Sequence, residues 1–334
     1  MSDLAQSVVA VTGASAGVGR ATALLFGRCG AHVALIARDA ASLEDVRREI
    51  EECGSTALAL PCDVSDAEAL DQAARRVEQE LGPIAVWVNC AMVTVFSPVW
   101  RMTAKEFRRV TEVTYLGFVH GTMAALACMR PRNAGVIIQV GSSLAYRGIP
   151  LQSAYCGAKH AIRGFTDALR SELIHEGSGI QVVMVQLPAM NTPQFDWART
   201  HMPREPRPVA PVFQPEVAAR AIVRAALSPR RELWLGLSTV KVILASMLAP
   251  SFLDRYLADH AVDGQERPTA VSRNRRDDLM KPVRSLHGTH GAFGEEARTR
   301  AALLSGESAR LCAGLLGLGG LALAAGLVLR RRVR

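Results

Sequence analysis

Short apolar runs recur along the first two thirds of the chain, with polar stretches of helix length between them. They are Ser7–Thr12 (SVVAVT), His32–Ala37 (HVALIA), Thr56–Pro61 (TALALP), Ile84–Asn89 (IAVWVN), Gly135–Val140 (GVIIQV) and Ile180–Leu187 (IQVVMVQL). Each is nearly continuous in hydrophobicity, without in/out alternation, as in strands covered on both faces. Six βα units joined by right-handed crossovers then predict an α/β fold, a doubly wound parallel sheet. Glu232–Gly236 (ELWLG) adds a seventh strand at one edge.

The later segments break this rhythm. Residues 193–215 carry six prolines with Phe195 and Trp197 between them, an excursion suited to a lid over a ligand at the carboxyl ends of the strands. Beyond Gly236 an apolar stretch with few charges, from Val242 to Leu257 at its centre, reads as a substrate-pocket helix, a helix resting on a membrane, or plain core packing. Residues 261–305 are polar and rich in Arg, Gly, Asp and His, the composition of a weakly structured linker. His287 and His290 (HGTH) have no partners at metal-ligand spacing, so a solvated loop and no metal site is the expectation. Residues 306–334 form a hydrophobic tail: Leu311–Leu329 is a run without a charge, followed by RRRVR. As a helix rising ~1.5 Å per residue, that run is long enough for a transmembrane or membrane-embedded segment. The arrangement expected is one catalytic domain over residues 1–260, a linker and the tail.

Charge and cysteines narrow the function. Of the net +8, six charges lie beyond Ala261, where thirteen Lys/Arg face seven Asp/Glu. The nearly neutral domain before it gives no support for a nucleic-acid groove. Seven cysteines lack any C-x-x-C spacing and the N-terminus has no signal-peptide pattern, so reduced thiols and a cytoplasmic catalytic domain are expected.

Directly after the first strand stands TGASAGVGR, Thr12–Arg20. Gly13, Gly17 and Gly19 let the backbone turn and approach a pyrophosphate, whose charge then meets a helix N-terminus. At the end of the second strand, IARD places Ala37 where an acidic ribose ligand would stand, followed by Arg38 and Asp39. Arg38 suits a 2′-phosphate and so NADP(H), while Asp39 argues for restraint. Tyr155 and Lys159 share a helical face one turn apart.

Together with CDV at Cys62–Val64, an Asn-x-Ala element at Asn89 and Ala91, GSS, and Tyr-x-x-x-Lys, these motifs make the chain resemble the short-chain dehydrogenase/reductase family over roughly residues 5–240. The block from Val140 to Ile162 further resembles an uncharacterised bacterial subgroup. The resemblance implies a Rossmann-like domain that interconverts a ketone and a secondary alcohol. It implies Tyr155 as general acid/base, Lys159 as the charge that lowers its pKa, and Ser142, with Ser143 as alternative, as donor to the developing oxyanion. It further implies that Gly13, Ser15, Gly17, Val18, Gly19, Asp63, Val64, Asn89, Ala91, Pro188 and Thr192, with Tyr155 and Lys159, contact the cofactor, and that the protein is a dimer or tetramer. Two departures stand out. NCAM replaces the family's N-N-A-G, and Thr114 stands where an asparagine of the proton relay is usual. An apolar tail and helix point to a lipophilic substrate. The alternative is a membrane-tethered dinucleotide sensor or scaffold without turnover.

Overall fold

A computed structural model of the chain describes residues 4–312, 314 and 315. The expected strands form at the expected places: β1 (Val8–Thr12), β2 (His32–Ala37), β3 (Ala57–Pro61), β4 (Ile84–Asn89), β5 (Gly135–Ser142), β6 (Ile180–Leu187) and β7 (Glu232–Leu235). They pair in the order β7-β6-β5-β4-β1-β2-β3, all parallel. The order reverses at β1, which lies between β2 and β4, and this is the place where open α/β sheets take their ligands.

The continuous apolar runs follow from the two covered faces. Val9 and Val11 of β1 join Val33 and Leu35 of β2 in one core with helices α1 (Gly17–Arg28), α2 (Ala40–Glu52) and α7 (Pro215–Leu227). Their neighbours Val8, Ala10, Ala34 and Ile36 point the other way, into a core built with α3 (Ala67–Glu80), α5 (Gly117–Met129) and α6 (Ser153–His175). The period-2 geometry of a strand thus serves two apolar layers at once. Local chemistry starts the helices: Asp39 and Asp66 cap α2 and α3, and Thr103 with Glu106 forms a reciprocal capping box on α4 (Ala104–Thr111). Between α4 and α5 the helix widens into a π turn at Glu112–Leu116, which carries Thr114.

Residues 261–305 correct the expectation of a loose linker. Leu279, Val283 and Phe293 are buried, and Leu303–Ser305 forms β8, an antiparallel edge strand whose Leu304 faces Trp234 of β7. A polar composition concealed this because the ordering comes from a few isolated apolar anchors and many arginine contacts, which leave no periodic trace. Among the described residues no helix is long and apolar enough to cross a membrane. Most of the run 311–329, expected to enter a bilayer, lies outside the described residues.

Candidate active site

At the carboxyl ends of β1, β2, β4, β5 and β6 lies a cavity of about 610 Å³. Its walls include Gly13, Ser15, Gly17, Val18 and Gly19 of the first turn, Arg38, Asp63, Val64 and Ala91, then Ser142, Tyr155 and Lys159, and finally Pro188 and Thr192. Fourteen positions singled out in the sequence therefore meet in one space. Asn89 does not join them. Its fully buried amide donates to Thr122 Oγ1 (3.1 Å) and Gln139 Oε1 (3.0 Å) and accepts from Trp87 Nε1 (2.8 Å). This side chain braces β4 against β5 and α5 rather than facing the cavity.

The glycine turn is tight for a visible reason. Gly13 has φ +72°, and a Cβ there would stand 2.8 Å from the Ala91 Cα; a Cβ on Gly19 would fall 2.1 Å from the Gly13 carbonyl oxygen. Thr12 Oγ1 accepts from the N–H groups of Cys90 (3.0 Å) and Ala91 (3.2 Å), locking the end of β4 to the turn. The turn feeds straight into α1, whose first N–H groups have no intrahelical partner and carry the positive end of the helix dipole. A turn of this kind, opening on an elongated cavity with Arg38 at one end, fits a dinucleotide.

At the far end of β2, Asp39 caps α2 by accepting from Ser42 N–H (2.8 Å) and Ser42 Oγ (2.7 Å) and pairs with Arg284. Its carboxylate is engaged by protein. Asp63 is held by Arg109 and accepts from Ser65 N–H and Oγ. Burial pushes its carboxyl up, but Arg109 and Ser65 outweigh this and leave it below the usual range. Arg109, one basic residue among three in KEFRR, offered no signal in the sequence.

Ser142 ends β5, and Tyr155 and Lys159 stand one turn apart on the first turns of α6. Lys159 is almost fully buried; its Nζ donates to the Val140 carbonyl (2.8 Å), 4.6 Å from the Phe118 ring and 5.6 Å from the Tyr155 ring. Burial pushes the ammonium down to about 8, with a small opposing pull from Cys90. Burial raises the Tyr155 phenol above its ordinary range, the hydrogen-bonded Ser142 pulls it back, and the Cys156 and Cys90 thiols push it further up. Among the groups around the phenol, the hydrogen-bonded Ser142 is the one that favours the phenolate.

Thr114 is fully buried. Its hydroxyl donates to the Val93 carbonyl (2.7 Å) and accepts from the Val93 N–H (3.0 Å), pinning a strip of chain that lines the cavity. From residues 193–215, Gln194, Phe195, Trp197, Val209, Ala210 and Pro211 line the cavity. Ser238, Thr239, Lys241 and Val242 of α8 (Leu237–Leu248), with Tyr256 and Leu257 of α9 (Pro250–His260), close its other end. His287, expected in a solvated loop, lines the cavity too and packs on Trp197 with ring centroids 5.1 Å apart. No cluster of metal-ligating side chains occurs among the described residues.

With this arrangement in view, the family model for short chain dehydrogenases matches residues 7–202. The chain belongs to the short-chain dehydrogenase/reductase family. It is 31% identical over 274 residues to the uncharacterised oxidoreductase YxnA of Bacillus subtilis, covering 80% of this chain and 76% of that one. It is 30% identical to the 3-dehydrosphinganine reductase of Danio rerio, over 66% of this chain and 68% of that one. Among solved structures, a metagenomic short-chain oxidoreductase in complex with NADP superimposes with a TM-score of 0.59 at 27% identity, covering 69% of this chain and 97% of that one. As a member of this family, the protein is an NAD(P)-dependent oxidoreductase. The family model ends at residue 202, before Val209–Pro211, α8, α9 and the residues near 278–287 that also line the cavity.

Proposed function

We propose that the protein transfers a hydride between NADP(H) and a lipophilic ketone or secondary alcohol, with Tyr155 as general acid/base. The observation that carries this is the meeting of Ser142, Tyr155 and Lys159 in one cavity with the glycine turn. The cofactor, when bound, supplies or accepts the hydride. Ser142 holds the substrate oxygen through its hydroxyl, and the Tyr155 oxygen gives a proton to it in reduction or takes one from the alcohol in oxidation. A phenol raised by burial keeps its proton in the resting site, which suits donation to a carbonyl oxygen as negative charge develops there. Gly13, Ser15, Gly17, Val18, Gly19, Asp63, Val64, Ala91, Pro188 and Thr192 would hold the dinucleotide along the cavity. Arg38 supports NADP(H) over NAD(H), since the neighbouring Asp39 carboxylate already has protein partners.

The substrate class is read from the cavity's other end. Ile149, Met190, Phe195, Val242 and Leu257 give it apolar walls, and Leu248 and Phe252 on the adjoining helices are exposed. The name of the Danio rerio relative, 3-dehydrosphinganine reductase, agrees with such walls. In this reading residues 311–329 hold the enzyme near a bilayer that stores the substrate. Exposed Leu116, Met123 and Ile174 on and beside α5 and α6 support a homo-oligomer through those helices.

The experiment is to follow NADPH oxidation by purified protein against medium-chain, long-chain and cyclic ketones, with NADH in parallel. Turnover of the longer ketones supports the proposal. Tight NADPH binding with no turnover across the panel would instead mark a dinucleotide sensor, for which the engagement of Thr114 with Val93 is the favouring observation.

A further inference from the structure

A segment with the composition of a solvated linker crosses the cavity from the Arg38 end to the glycine turn. Its contacts fall on the groups that the dinucleotide reading assigns to the cofactor. The main-chain carbonyls of Asp278 and Leu279 accept from Arg38 (2.6 Å) and Arg109 (3.1 Å). Arg284 pairs with Asp39 at 3.1 Å. The Gly288 carbonyl accepts from the Gly17 N–H at 2.9 Å, and the Gly291 N–H donates to the Asn191 carbonyl at 3.2 Å. Leu279 is fully buried in the same core as Val64 and Val113, and Phe293 is buried with Phe195.

We propose that residues 277–291 form the outer half of the dinucleotide site, a clasp that closes over bound cofactor and brings Asp278, Pro282 and His287 to face it. The inference rests on the cavity being an NAD(P)(H) site, as argued above. Two observations favour a roof over a plug. Asp278, Pro282 and His287 line the same continuous cavity as Gly13, Val18, Asp63 and Tyr155, so the segment bounds the space beneath it rather than filling it. Its apolar anchors, Leu279, Val283 and Phe293, are few and separated, and the stretch between the last two is tied by polar contacts at Arg284, Gly288 and Gly291. Segments of that kind open at lower free energy than a core element. The Asp278 N–H also donates to the Trp197 carbonyl (3.1 Å), and Arg199 pairs with Asp277 (3.1 Å). The clasp and the proline-rich cover are therefore joined, and cofactor retention is linked to the walls of the substrate end.

A clasp retains its ligand chiefly by slowing release. Gly291→Ala tests it, because a Cβ there would stand 2.4 Å from the Thr192 carbonyl oxygen, a backbone atom that cannot swing aside. Arg284→Gln is the milder second variant, removing only the pair with Asp39. NADPH release is measured by stopped-flow fluorescence on displacement, with circular dichroism to confirm folding. Release should quicken about tenfold or more in Gly291→Ala and less in Arg284→Gln, while association changes by no more than about threefold. In the wild type, NADPH should protect the exposed Arg284 from trypsin. Unchanged release in the folded variants with no protection overturns the clasp, as does tighter NADPH binding in Gly291→Ala, which would make the segment a blocker. If the wild type binds neither NADPH nor NADH, the reading of the cavity fails along with it; binding with unaltered release removes the clasp alone.

Discussion

Arg38 donates to the main-chain carbonyl of Asp278 at 2.6 Å, across 240 positions of sequence, and its guanidinium lies 3.9 Å from the Asp278 carboxylate. If the cavity takes NADP(H) as proposed, the residue that would meet the 2′-phosphate is also tied to the segment crossing the cavity. Burial pushes the Asp278 carboxyl up to about 7, against the pull of Arg38.

Arg38→Met removes the fork that a 2′-phosphate would use, and hydrogen bonds to charged groups contribute about 1.5–3 kcal/mol. NADPH affinity should fall by roughly ten- to a hundredfold, while NADH affinity changes by less than about threefold. Fluorescence titration with both cofactors checks this; equal losses would mean that Arg38 acts only through the roof.

Tyr155→Phe keeps the ring and removes the proton. Carbonyl reduction should drop by about 10²–10⁴-fold, the usual worth of a positioned acid, with NADPH affinity within about twofold of wild type. Steady-state kinetics paired with a binding titration decide the point, and unchanged turnover would remove Tyr155 from its role.

How much of this was legible in sequence follows from how each feature is encoded. The strands were plain because burial on both faces forces continuous apolar runs, and β1 to β7 stand where those runs are. The glycine turn was legible because close backbone approach is a local property, while Ser142, Tyr155 and Lys159 stood out only through the resemblance to the family, since their one-turn or thirteen-residue spacing is by itself uninformative. Asn89 was misplaced: the motif gives its position on β4, but only the fold shows Thr122, Gln139 and Trp87 surrounding its amide. The burial of Lys159 and Tyr155 was hidden for a similar reason, since a sequence shows proximity and not desolvation. His287 was read as part of a solvated loop, and residues 261–305 as a weakly structured linker, because single anchors such as Leu279 carry no periodicity.

Lys159 gives a pH signature in stability. Its ammonium is pushed down to about 8 by burial, from an ordinary value near 10.5. Between these values the unfolded chain binds more protons than the folded one, so stability rises with pH, by at most about 1.4 kcal/mol per pH unit for one group. Below pH 8 both states are protonated and the dependence from this residue vanishes. Urea unfolding from pH 7.5 to 10.5 should show the rise in the wild type and a flatter profile in Lys159→Met. Matching profiles would mean that the ammonium is better solvated than its surroundings indicate.

Thr114 separates a structural duty from a catalytic one. Its hydroxyl satisfies both the N–H and the carbonyl of Val93 in a fully buried place, and Val93 lines the cavity beside the substrate end. Thr114→Val keeps the shape and leaves both backbone groups unpaired, at a loss of about 1–3 kcal/mol each in the limit where no water enters. Urea unfolding should register that loss, and KM for the ketone should rise more than kcat falls, because the wall moves while Ser142 and Tyr155 stay in place. Thr114→Ser retains the hydroxyl and should restore both quantities to near wild type. If Thr114→Val instead lowers kcat with KM and stability unchanged, the hydroxyl belongs to the proton path after all, taking the place of the asparagine usual there.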